Sequence, residues 1–149
     1  MLRFDCDSSE FSNSVNELLL GGATVPVYVS GNSMNPFLVS RRDIVWLKAF
    51  EESDLKIGKI VLFRRKDGSL VLHRIKKIIS DGSFIVMGDA QTWYEEVDIN
   101  SVVAVVTTLQ RKGKIRSDDS FYWRMTNTVW RLLFPFRTVI MRIWFKFKK

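Results

Sequence analysis

The chain has one cysteine and one histidine in 149 residues. Cys6 alone forms no internal disulfide, so the fold does not depend on an oxidising compartment. Its place near a chain end favours a spare thiol over a catalytic one. No run of about 18 apolar residues occurs, so no membrane-spanning helix is expected. Met1 to Glu10 is acidic and polar, with no apolar core of a signal peptide. A cytoplasmic or peripheral-membrane location is expected. Acidic residues are missing from 121–149, where Arg124, Arg131, Arg137, Arg142, Lys146, Lys148 and Lys149 account for the whole net charge of +7. A basic tail of this kind seeks phosphate, on a membrane surface or a nucleic acid. No cofactor or metal is expected.

What is present suits one compact domain. Apolar residues make up 46% and charged residues 26%, a globular balance rather than a disordered one. Residues 9–20 read as a short helix, capped by Ser9 and ended by Gly21-Gly22. Runs rich in Val, Ile and Phe then predict strands at Val25–Val29, Ile44–Lys48, Ile60–Phe63, Leu70–Ile79, Phe84–Met87 and Val102–Leu109. Asp67-Gly68 and Asp81-Gly82 fall between apolar runs and predict tight hairpins. The expected fold is mainly β: a small antiparallel domain over residues 1–109 with an N-terminal helix, a polar linker over 110–120, and a basic amphipathic helical tail over 121–149. Pro135 is expected to break that tail into two helices.

Three clusters carry chemistry. Ser33 lies in Val29-Ser30-Gly31-Asn32-Ser33-Met34-Asn35-Pro36, a turn after a strand that exposes a hydroxyl and leaves backbone N–H groups near a developing oxyanion. The same residue types also make ordinary turns. His73, in Leu70-Val71-Leu72-His73-Arg74-Ile75, is the natural base near neutral pH, because an imidazole needs little tuning where a lysine would need desolvation. Asp89, in Val86-Met87-Gly88-Asp89-Ala90, is either a turn residue or the acceptor of the His73 Nδ1 proton.

Taken with Arg42-Asp43-Ile44-Val45 and Gly58-Lys59-Ile60-Val61-Leu62-Phe63, these motifs resemble the signal peptidase I clan, which also holds the self-cleaving SOS repressors. The resemblance spans about Val25 to Val106. With histidine at the base position, the chain is similar to the histidine (endoplasmic-reticulum) type. That resemblance implies Ser33 as nucleophile, His73 as general base and Asp89 as acidic partner. Where the family has a second aspartate, this chain has Glu95, so either carboxylate is a candidate to orient His73. Met34, beside the serine, is a secondary candidate. The implied function is a serine endopeptidase acting on an extended peptide or protein substrate near a membrane. The alternatives are a repressor-like self-cleaving module, for which some 24 residues before the first strand leave no room for a DNA-binding domain, and a non-catalytic peptide-binding module.

At 3.6 residues per turn, Arg124, Thr128, Arg131, Pro135, Thr138, Arg142, Lys146 and Lys149 form one stripe of the tail, and most of the remaining arc is apolar. Membrane contact and packing on the β domain or a second copy are equally compatible with that pattern. Nucleic acid is not an expected partner, because no motif for it is present.

Overall fold

In a computed structural model, residues 9–79 and 82–148 are described. Cys6, Asp81, Lys149 and the Ser9 side chain, all named above, lie outside the described residues.

Helix α1 (Ser9–Leu20) buries Phe11, Val15 and Leu19, spaced four apart on one face. Burying each stabilises the domain by about 2 kcal/mol. The helix ends at Gly21-Gly22, where the Gly21 N–H donates to Glu17 O (3.1 Å). Among the described residues eight strands follow: β1 (Val25–Tyr28), β2 (Asp43–Lys48), β3 (Ile60–Arg64), β4 (Leu70–Ile78), β5 (Ser83–Met87), β6 (Glu95–Asp98), β7 (Val102–Arg111) and β8 (Lys114–Ser117). All pairings are antiparallel, in the order β1-β2-β7-β3-β4-β5-β6, with β8 on the second half of β7. The β3–β4 hairpin closes at Asp67-Gly68, where Gly68 has φ 88°, a left-handed value that glycine adopts without a Cβ clash.

The sheet curls around two apolar clusters. One joins α1 to Val27, Met34, Phe37, Leu38, Leu47, Leu62 and Leu70. The other holds Leu55, Val61, Phe63, Ile75, Phe84, Val86 and Val97.

The polar run 110–120, expected as a linker, instead contains the end of β7 and all of β8. Its side chains are largely exposed, so backbone pairing of Thr108–Arg111 with Lys114–Ser117 holds it. The tail then forms α2 (Phe121–Leu132), a 3₁₀ turn at Phe134–Phe136 that contains Pro135, and α3 (Arg137–Phe147). Ser120 caps α2 by accepting the Trp123 N–H (3.3 Å). Among the described residues no helix is long and apolar enough to cross a membrane.

The tail packs on the β domain along one side. Trp123 is buried edge-on against Phe37, with ring centroids 5.1 Å apart. Trp130 Nε1 donates to the Asp89 carbonyl (3.0 Å). Arg137 and Met141 are buried, and Lys148 Nζ reaches Asn32 Oδ1 (3.2 Å).

Candidate active site

Ser33 sits in the loop joining β1 to β2. Both ends of that loop are pinned. The Val29 N–H donates to Asp43 O, and the Arg41 N–H to Val29 O, each at 3.0 Å. The buried Asp43 carboxylate accepts the Val39 N–H (2.9 Å), Arg42 Nε (2.8 Å) and Arg111 Nε (3.0 Å). Burial alone would raise its pKa, but these donors outweigh burial and bring it to about 2. Arg111 also donates to the Phe37 carbonyl. Met34 is 2% exposed and serves as the loop's apolar anchor, with Phe37, Leu38 and Val39 buried after it. Ser33 itself remains half-buried.

The Gly88-Asp89-Ala90 turn cradles the serine from the other side. Ala90 N–H donates to Ser33 O (2.8 Å). Gly88 is required by close approach, since a Cβ there would stand 2.5 Å from that same oxygen.

His73 lies mid-strand on β4, opposite Val61 of β3, and is fully buried. Alternation places Val71, His73 and Ile75 on one face of β4, and Leu70, Leu72 and Arg74 on the other. The His73 ring faces Phe63 (centroids 5.6 Å) and the Glu95 carboxylate, whose Oε1 is 3.4 Å from Nδ1. Arg65 grips Glu95 through Nε (2.9 Å) and Nη2, and holds that carboxyl below its usual range. Burial pushes the His73 pKa down to about 4; Glu95 pulls it up, Arg65 presses it down, and Asp89 adds a smaller upward pull. The imidazole is therefore neutral at neutral pH and able to accept a proton.

Arg74, on the opposite face, takes Asp89. Nε and Nη2 reach the two carboxylate oxygens at 3.0 and 2.8 Å, and Nη1 donates to Gly58 O (3.0 Å). The guanidinium also stacks 4.7 Å over the Phe37 ring. Both oxygens of Asp89 thus accept from Arg74. Of the two candidate carboxylates, Glu95 faces His73 and Asp89 braces the serine loop.

Ser33 and His73 line one cleft of about 300 Å³, together with Val29, Arg65, Leu72 and Gln91. The structure brings them to a common space without joining them. Neither ring nitrogen of His73 has a hydrogen-bond partner among the described residues. Lys76, the nearest lysine along β4, stands 3.8 Å from Asp89 and does not line the cleft.

Sequence reasoning missed the roles of Asp43, Arg65 and Arg74. Arg74 carried a readable signal. It follows His73 inside an apolar strand, and a guanidinium pointing to a core needs a carboxylate there. Among the described residues no cluster of His, Cys, Asp or Glu is placed to hold a metal ion. The chain matches no protein-family model and no curated protein sequence.

Proposed function

We propose that the protein is a serine endopeptidase of the signal-peptidase-like type, with Ser33 as nucleophile and His73 as general base. The observation that carries the reading is the shared cleft: a half-buried serine and a fully buried imidazole without a hydrogen-bond partner among the described residues, forty residues apart in sequence, both belong to its lining. His73 takes the Ser33 Oγ proton as the oxygen attacks a peptide carbonyl. The oxyanion is met by backbone N–H groups of the Ser33 turn. His73 then protonates the leaving amine, and water hydrolyses the acyl-enzyme. Glu95 stabilises the imidazolium formed in between. The Ser33–His73 hydrogen bond closes when substrate fills the cleft, as catalytic contacts often tighten only in the complex. An extended substrate pairs beside Val29–Asn32, where edge strand β1 runs into the loop.

The test is acylation of the full chain by a fluorophosphonate, read by peptide mass. The adduct is expected on Ser33, absent in Ser33→Ala and strongly slowed in His73→Ala. An unlabelled Ser33 in folded protein overturns the peptidase reading and leaves a peptide-binding module on the same scaffold.

A further inference from the structure

We propose that the outer face of α2 and α3 is a docking surface for an anionic lipid bilayer. The tail has three sides. The inner one, with Trp123, Trp130, Arg137 and Met141, packs on the β domain, so internal packing is already satisfied by that side. A second side is apolar and in water: Phe121, Met125 and Leu132 recur at helical spacing on α2 and Ile143 and Phe147 on α3, with Phe136 in the turn between them, and Phe121, Leu132 and Phe147 are 79%, 74% and 81% exposed. Large exposed apolar stripes of this kind mark interaction surfaces.

The third side says what the stripe meets. Arg124, Arg131, Arg142 and Lys146 are all exposed along its flank, with no acidic residue anywhere in 121–149. A row of cations bordering an apolar stripe complements phosphate headgroups above acyl chains. It does not complement a second copy, because pairing two tails would set these cations against each other. Nor does it suit a nucleic acid, which leaves a stripe of phenylalanine and leucine unburied. The inner side of α2 touches Phe37 of the serine loop and Asp89 beside it, so a docked bilayer lies about one helix diameter from the serine loop. The proposal stands whether or not Ser33 is a nucleophile.

Sedimentation of the full chain with phosphatidylcholine vesicles, with and without phosphatidylglycerol, tests it. Binding is expected only with phosphatidylglycerol, and it should weaken as salt is raised. The variant Arg124→Gln/Arg131→Gln/Arg142→Gln should bind about 100-fold more weakly, at about fivefold per charge. Leu132→Ser/Phe136→Ser/Ile143→Ser should also lose binding. Both sets lie on the outer sides, so an unchanged Tm is expected. Wild-type protein that ignores phosphatidylglycerol, or binds it independently of salt, overturns the proposal without reference to any variant. So does a dimer in sedimentation equilibrium that the apolar variant disperses.

Discussion

Arg74 and Asp89 form a two-pronged ion pair at 3.0 and 2.8 Å, with both side chains essentially out of water. The pair joins the strand that carries His73 to the turn that holds the Ser33 carbonyl. It is therefore a brace between the two halves of the candidate dyad.

A brace and a triad member respond differently to mutation. Removing one partner of a buried pair leaves an uncompensated charge, at a cost of about 3–5 kcal/mol. Asp89→Ala and Arg74→Ala should each lose about that much stability in urea denaturation. The double variant Arg74→Met/Asp89→Leu should lose much less than the two losses added together. Full additivity would show that the two side chains do not act as a pair.

The His73 environment predicts opposite pH shifts from two neighbours. The acid limb of the Ser33 acylation rate should fall near pH 4, since the base must be unprotonated. Glu95→Gln removes the charge that pulls the imidazole pKa up, so the limb should move to lower pH. Arg65→Gln removes a charge that presses it down, so the limb should move to higher pH. Shifts in the same direction would contradict this arrangement.

Stability should depend on His73 in a defined window. Its pKa is 6.5 unfolded and about 4 folded, so between these values the unfolded chain binds more protons. The contribution is fully present above pH 6.5 and is lost as pH falls toward 4, amounting to about 3 kcal/mol. Asp43 acts in a separate window, from 3.8 down to about 2. In a Ser33→Ala background, unfolding measured at pH 7 and pH 4.5 should show the loss. Adding His73→Gln should remove most of it. An equal loss in both proteins would assign the effect to other groups.

Gly88→Ala should displace the serine loop. The new methyl meets the Ser33 carbonyl at 2.5 Å, a backbone contact with no flexible end to yield. Overpacking of this kind costs about 1–3 kcal/mol. Ser33 acylation should fall at least tenfold in protein that still folds. Acylation at the wild-type rate would show that the turn does not position the serine.

The β-branched runs at Val25, Ile44, Ile60, Leu70, Phe84 and Val102 were legible as strands because each buries side chains in a core. The strands at Glu95–Asp98 and Lys114–Ser117 were not. They carry mostly charged or exposed residues and are held by backbone pairing with a neighbour, which leaves little mark on local composition.

Composition and pattern by themselves determined the β class and the two-helix basic tail, because these follow from residue type and short-range spacing, whereas Ser33, His73 and a nearby carboxylate were singled out as candidates through the family resemblance of their motifs. Which carboxylate meets which base was decided only in three dimensions. Successive residues of a strand point to opposite faces, so His73 and Arg74 look to different sides of β4 and take Glu95 and Asp89 respectively. The tail's division into an inner packed side and an outer exposed side was settled in the same way, by contacts with Phe37 and Asp89, residues far from the tail in sequence.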